Sequence, residues 1–389
     1  LSYAATTPMC PSFKASADLR HSPKGRADAL RGWHQARATG TPDLGARETD
    51  LLAVLDTCLG CKACASSCPV QVDIPAMRSA FLNDYYQRHA RPLADRLVLW
   101  AERFSPLTAR MTPVLAPVWP LIARLGGALT GSTDMPAHLA TGLPRDVRLS
   151  ERDLDGPLPE GTVIVVQDWF TALFDGPAQR DVLDGLTALG YRPRLLVMRP
   201  AGKAAHTAGD LDGFRRLAGR LAAHLARAAA TGAPLVAFEP AFGMMLRQEY
   251  PKAGIALPKV AMVQEFLAAE AIRRSLPQAR RTAPARLLSH CTEATALPQS
   301  AALWAEVFAA IGAPVQTPAT GCCGMAGLFG HQKRHQRVSR RLYDASWRDH
   351  VESGEQVMAT GFSCRCQSER LSGSTPRHPL GVIAGMLRP

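Results

Sequence analysis

Four cysteines fall within eleven residues in "CLGCKACASSCPV", at Cys58, Cys61, Cys64 and Cys68, and Pro69 follows the last. The spacing C-x2-C-x2-C-x3-C-P is that of a bacterial ferredoxin run. In such a run one loop presents three thiolates to one face of a 4Fe-4S cube. The fourth ligand then comes from a remote Cys-Pro, and "MCPS" supplies one at Cys10–Pro11. This assigns Cys10, Cys58, Cys61 and Cys64 to one cluster. Cys68 is left as a ligand for a second cluster, whose own first three cysteines would precede Cys10. No cysteine precedes Cys10, and the first residue is Leu1, so the sequence reads as part of a longer chain. Zinc is the alternative occupant. It prefers two separated C-x2-C pairs or added histidines, and a trailing Cys-Pro is not a zinc feature.

A second group lies far downstream: Cys291, the pair Cys322–Cys323 in "GCCGMAG", and Cys364, with Cys366 two residues on. Adjacent cysteines flanked by glycines need an unusual backbone to turn both thiols to one centre, and Gly321, Gly324 and Gly327 offer it. A metal or cluster site, a zinc site and a single catalytic thiol all remain open here. His290 beside Cys291 reads as a strand-end residue that could support the site. His331, His335 and His378 carry no ligand spacing. In "HSPKGR", Lys24 and Arg26 could meet an anion or cofactor group at a helix start, or simply belong to a capped surface helix.

The composition fits this reading. There are 389 residues, enough for two or three domains, with 47% hydrophobic and 20% charged side chains. Ten cysteines, all in motifs and without an export signal, read as reduced and metal-binding rather than disulfide-stapled. The formal charge of +12 is spread along the chain without a basic block or aromatic interleaving. It gives no case for nucleic acid. No signal peptide is visible, so a cytoplasmic location is expected. "MTPVLAPVWPLIARLGGAL", residues 111–129, is too short and too rich in proline for a span. It reads as helical packing or linker, or as peripheral contact with the inner membrane. There is no Ser-His-Asp set, Walker loop or G-x-G-x-x-G, so no catalytic residue is named.

The elements that must position these thiols follow from periodicity. Residues 1–90 read as a small all-α unit around the first cysteine group, with Ser22 capping a helix that starts at Pro23. Residues 91–160 read as a helical, proline-rich linker. From residue 161 strands and helices alternate, as for a parallel sheet with helices on both faces. "TVIVVQ", "YRPRLLVM" and "APLVAF" are strands, and after residue 284 "ARLLSH", "APVQTP" and "EQVMAT" repeat the order. Asp168 corresponds to Cys291, Ala201 to Cys322 and Phe242 to Cys364, at offsets of 123, 121 and 122 residues. The expected fold class is therefore α+β and multidomain. A ferredoxin-like helical unit (1–90) and the linker (91–160) precede a duplicated Rossmann-like α/β unit, 161–283 without cysteines and 284–389 with them. Each downstream cysteine falls at a strand end, where sites form in open α/β sheets.

"GCCGMAG", with a strand-end cysteine before it and another about forty residues after, resembles the cysteine-rich CCG domain. That domain is shared by glycolate oxidase iron–sulfur subunits, heterodisulfide reductase subunits and anaerobic glycerol-3-phosphate dehydrogenase. The family pattern ends in C-x2-C; here its first position is Gly361 and its second Cys364. "MCPSFKASADLRHSPKGRADALR", "CLGCKACASSCPVQVDIPAMR" and "ATGFSCRCQSERL" resemble the C-terminal half of bacterial FAD-linked oxidases of the D-2-hydroxyglutarate or D-lactate dehydrogenase type. The resemblance implies an oxidoreductase acting on the CH–OH group of a 2-hydroxy acid with a non-NAD acceptor. FAD would sit in a domain or subunit outside this chain. One 4Fe-4S cluster, or two if the CCG site also holds one, would pass electrons to a quinone or other acceptor. The alternatives are a stand-alone subunit of the heterodisulfide reductase or glycerol-3-phosphate dehydrogenase kind, and a zinc-binding scaffold.

Overall fold

The computed structural model describes residues 4–388 apart from 8, 71, 137–138, 141–142 and 145. Up to residue 130 the described chain is helical: α1 (Pro11–Ser16), α2 (Pro23–Thr39), α3 (Leu44–Asp56), α4 (Ala63–Ser67), α5 (Ile74–Arg88), α6 (Leu93–Leu115) and α7 (Trp119–Thr130). Local sequence sets the boundaries. Ser22 Oγ accepts the Gly25 amide, Pro23 occupies the first turn of α2, and Gly40 ends it at φ +64°. Leu51, Leu55, Ile74 and Phe81 bury between α3 and α5. Each buried side chain of this size contributes about 1.5–3 kcal/mol.

The rest is α/β. Strands β1 (Thr162–Val166), β2 (Arg192–Leu195), β3 (Leu235–Ala237) and β4 (Val260–Met262) form one parallel sheet in the order β2-β1-β3-β4. Strands β5 (Ala285–Leu288) and β6 (Gln356–Ala359) form a second. Helices α8 (Trp169–Phe174), α9 (Gly176–Ala188), α10 (Lys203–Thr207), α11 (Leu211–Ala230), α12 (Pro240–Lys252) and α13 (Val263–Arg273) belong to the first sheet's connections. Helices α14 (Cys291–Ala296), α15 (Ser300–Ala310), α16 (Gln336–Ser346), α17 (Arg348–Val351), α18 (Phe362–Ser372) and α19 (Pro379–Leu387) belong to the second.

The second sheet repeats the first in reduced form. Ile164 pairs with Leu235 in the first and Leu287 with Met358 in the second, each 123 residues later. The strand expected over "APVQTP" is not formed. A single parallel bridge, Gln316 to Arg286, stands in its place. Pro314 and Pro318 lack the N–H that a ladder needs. A second bridge, Arg377 to Met358, stands where β4 stands in the first sheet.

Every residue of β1 is buried, and the side chains alternate between two cores. Ile164 and Val166 face a core made with α11 and α12. Val163 and Val165 face a core that also takes Ala285, Leu287, Trp304 and Met358, so the two sheets share it. Helices α9 and α19 cross there so closely that a Cβ on Gly185 would strike the Leu380 carbonyl.

Candidate functional site

The first cysteine group surrounds one opening. Cys10, Cys58, Cys61 and Cys64 line it together with Arg26, Lys62 and Ile74, and its empty volume is about 310 Å³ counting the solvent mouth. Cys68 ends α4, half-buried, and is not in this lining. The backbone is bent to bring the thiols in. Gly60 lies at φ +68°, Lys62 at +61° and Cys10 at +42°, and the last two are left-handed conformations that cost about 1–2 kcal/mol without glycine. Ala326, just past "GCCGM", is a third such residue. Three of the four described non-glycine residues with positive φ therefore lie at the cysteine motifs.

Arg26 is buried beside Cys10 rather than exposed at a helix start. Its Nη1 is 3.6 Å from Cys10 Sγ, Nη2 donates to Ser12 Oγ (2.8 Å) and Thr57 Oγ1 (2.6 Å), and Nε donates to the Val54 carbonyl (3.2 Å). It thus ties the Cys10 segment to the end of α3, from which Cys58 follows. Lys24 is not brought to the site. It is exposed and pairs with Asp28 at 2.6 Å, one helical turn on.

In the second group Cys291 opens α14, Cys322 and Cys323 lie in the glycine loop, and Cys364 lies in the first turn of α18. All four are buried. Their thiols touch in sequence: Cys291 with Cys322, Cys322 with Cys323, and Cys323 with Cys364. The loop is held from behind, where Gly321 N donates to Ser346 Oγ (2.7 Å) and Trp347 Nε1 donates to the Gly321 carbonyl (3.1 Å). A Cβ on Gly321 would strike the Ala5 carbonyl, so the N-terminal segment lies directly on this loop. His290 N-caps α14. Its Nδ1 accepts the Thr292 amide at 3.1 Å and its Nε2 lies 3.1 Å from Ser363 Oγ. Burial pushes this imidazole down to about 4, so it is neutral at pH 7. Cys366 is turned elsewhere, with Sγ 3.9 Å from His331 Nε2, and burial pushes its thiol up to about 12.

The two groups, separate in sequence, meet. Cys61, Cys291 and Cys322 pack in one buried cluster with Ala63, Met9 and Leu59. Thr295 Oγ1 of α14 donates to the Cys61 carbonyl at 3.0 Å. Burial raises the Cys61 thiol, and neighbouring Cys291 adds to the rise. The hydrogen bond to Cys322, then burial, raises Cys291. Such thiols ionise only against a strong positive charge, which a bound metal provides. Among the described residues no three His, Cys, Asp or Glu side chains are set to hold a metal ion as they stand. The residues present nonetheless fit a thiolate-ligated group at the first opening: four cysteine thiols and nearby cations.

Two of those cations, Lys14 and Lys62, are the part that sequence reasoning missed. Lys14 lies within electrostatic reach of Cys10, Cys61 and Cys322. Its Nζ donates to the Ala4 carbonyl and Thr7 Oγ1, both at 2.6 Å. Lys62, almost fully buried, forms a 2.8 Å ion pair with Glu249 of α12, which also takes Lys203 at 2.8 Å. Burial alone would raise the Glu249 carboxyl, but the two lysines bring it down to about 2. Both lysines stand inside or next to the motifs, in "CPSFK" and "CLGCKAC", and a basic residue among clustered cysteines was the available signal.

The cysteine-free repeat carries other chemistry at its strand ends. Asp168 caps α8, accepting from Thr171 N (3.0 Å) and Oγ1 (2.6 Å). Ala201 and Phe242 are buried in the apolar core. Glu239, at the end of β3, accepts the Phe362 amide at 2.7 Å, and burial pushes its carboxyl up to about 8. Asp175 Oδ2 receives Arg365 of α18 at 2.5 and 3.1 Å, and Arg365 Nη1 also donates to the Ala359 and Thr360 carbonyls. The first repeat thereby grips the helix that carries Cys364.

No protein-family model matches the chain. Among curated proteins it is 34% identical to a D-2-hydroxyglutarate dehydrogenase of Pseudomonas putida, over 98% of this chain and 42% of that protein. It is 33% identical to the Escherichia coli protein of that name over 99% of this chain, and 31% identical to that of Haemophilus influenzae over 98%, again with 42% of each relative covered. Along nearly all of its length the chain is similar to proteins named D-2-hydroxyglutarate dehydrogenase, and it spans about two-fifths of theirs.

Proposed function

We infer that this chain is the electron-transfer portion of a flavin-linked 2-hydroxy-acid dehydrogenase, with D-2-hydroxyglutarate as the first substrate to test. The observation that carries the reading is the single opening lined by Cys10, Cys58, Cys61 and Cys64. The similarity to proteins named D-2-hydroxyglutarate dehydrogenase supports the substrate class. FAD and the hydroxy acid would be held by a portion outside this chain, and a quinone or comparable acceptor would take the electrons. Residues 1–90 would form the ferredoxin-type unit and 161–389 the duplicated CCG unit.

A 4Fe-4S cluster, when bound by Cys10, Cys58, Cys61 and Cys64, supplies one-electron transfer at that point. The chain's own residues do the remaining work. Arg26, Lys14 and Lys62 offset the charge of four thiolates, which low-dielectric surroundings would otherwise make costly. Leu59, Met9 and Ala63 keep water from Cys61, Cys291 and Cys322. The contact between the two cysteine groups gives a short path should Cys291, Cys322, Cys323 and Cys364 hold a second centre.

The test is iron, zinc and acid-labile sulfide content after anaerobic purification, with EPR of the dithionite-reduced protein. One cluster gives about four irons and four sulfides per chain, and two cubane clusters about eight of each. Zinc without sulfide would sink the electron-transfer reading and leave a scaffold.

A further inference from the structure

Helix α6 is inside-out. Its buried residues are Glu102, Ser105 and Thr112, while Trp100, Phe104, Leu107, Met111 and Val114 are exposed. These five follow 4-3-4-3 spacing, so they form one stripe along a helix of 23 residues, about 34 Å long. The stripe resumes beyond the turn at Val118, with Leu121, Leu125 and Leu129 exposed on α7. Ordinary surface scatter does not produce a continuous apolar run of this length.

The charges around the stripe have one sign. Arg96, Arg103, Arg110 and Arg124 are exposed, and none pairs with a carboxylate among the described residues. The two acidic residues of α6 point away. Glu102 turns inward to accept the Lys203 and Ala204 amides at 2.8 and 2.9 Å, and Asp95 lies against Tyr86. Beside Phe104 a cavity of about 980 Å³, counting its open mouth, is lined by Arg103, Arg199, Arg220 and Arg227. Glu151 already takes Arg199 (2.5 Å) and Arg227 (2.8 Å), which leaves Arg103 and Arg220 without a counter-charge. No helix among the described residues is long and apolar enough to cross a membrane.

We propose that the α6–α7 segment lies on an anionic lipid bilayer. Its apolar stripe enters the acyl boundary, its arginines meet headgroup phosphates, and the Arg103–Arg220 cavity takes one of those phosphates. Basic residues beside an aromatic and aliphatic stripe are the combination that holds interfacial helices to anionic leaflets. A polar inward face and an apolar outward face suit a helix whose outer solvent is lipid. The inference does not depend on which metal the cysteines hold.

The experiment is co-sedimentation of the full chain with vesicles of phosphatidylcholine and phosphatidylglycerol at 3:1, against phosphatidylcholine alone. Binding to the anionic vesicles is expected to be at least ten-fold stronger and to weaken in 0.5 M NaCl. L107D/V114D should abolish it, and R103E/R220E should lower it about ten-fold. All four residues are surface or cavity-lining, and circular dichroism checks that each variant folds. Three results would overturn the proposal: no binding, equal binding to both vesicles, or binding unchanged in L107D/V114D. Light scattering that shows a dimer of the parent chain and a monomer of L107D/V114D would assign the stripe to a second copy instead.

Discussion

The two parallel sheets run in the same order, the second with single bridges where the first has its outer strands, and the positions after their strands hold opposite contents. In the second, Cys291 and Cys364 follow β5 and β6, Cys322 follows the single bridge at Gln316, and the three are linked thiol to thiol through Cys323. At the matching places of the first lie a helix cap, Asp168, and two core residues, Ala201 and Phe242. The first repeat has not become idle. Its Asp175 and Glu239 hold α18, and its Glu249 holds Lys62 beside Cys61. One α/β half thus carries the cysteines while the other fixes the elements that present them. The same shell supports both only because the first sheet and the second share a core.

Five substitutions probe that division. Arg365→Met leaves the buried Asp175 carboxylate and two carbonyls without their donor, and should cost about 3–5 kcal/mol. A urea-denaturation midpoint lowered for both cysteine groups together, followed by tryptophan fluorescence and thiol accessibility, is the expected result. Glu249→Gln strands Lys62 and should cost about 3 kcal/mol. It also has a pH signature. The folded carboxyl titrates near 2 against an ordinary value of 4.5, so the pair's contribution is complete above about pH 4.5 and fades as pH falls toward 2. Acid titration of stability should be shallower in the variant over that window.

Gly361 stands where the CCG pattern that this sequence resembles has the first cysteine of its C-x2-C. Here a Cβ would come 2.5 Å from His290 Cδ2, so the imidazole fills the space a thiol would need. Gly361→Cys should therefore destabilise by about 1–3 kcal/mol through overpacking, and His290→Ala in the same chain should recover part of that. A thermal-melt series of the two single variants and the double variant checks it. Equal loss with and without His290 would break the argument. Smallest is Asp168→Ala, which removes an N-cap and should cost about 1 kcal/mol while leaving metal content unchanged. Altered metal content would mean the first repeat still contributes to the site.

Much of the fold was legible because local signals are strong. β1 is five buried β-branched residues in a row, and Ser22–Pro23 starts a helix by well-understood chemistry. The strand over "APVQTP" failed because proline removes ladder donors. The short β4, Val260–Met262, runs straight into α13, so its three residues show no period of their own. The grouping of Cys10 with Cys58, Cys61 and Cys64 came from spacing, and the four do line one opening. Their meeting with Cys291 and Cys322 was not legible, since no periodicity encodes a contact across more than two hundred residues. Arg26 looked like a surface cation because its helix starts in solvent. Only its hydrogen bonds to Ser12 of α1 and to the end of α3 show why it is buried.

That long-range meeting has a consequence for how the protein is made. Cys61 and Cys322 are 261 residues apart in the chain yet share one buried cluster. At about 5–20 residues per second of synthesis, the first group waits tens of seconds for its neighbour. During that interval Cys58, Cys61 and Cys64 lack the wall formed by α14 and the glycine loop. Ribosome-bound chains halted before residue 291 should accordingly have more reactive first-group thiols than the finished protein.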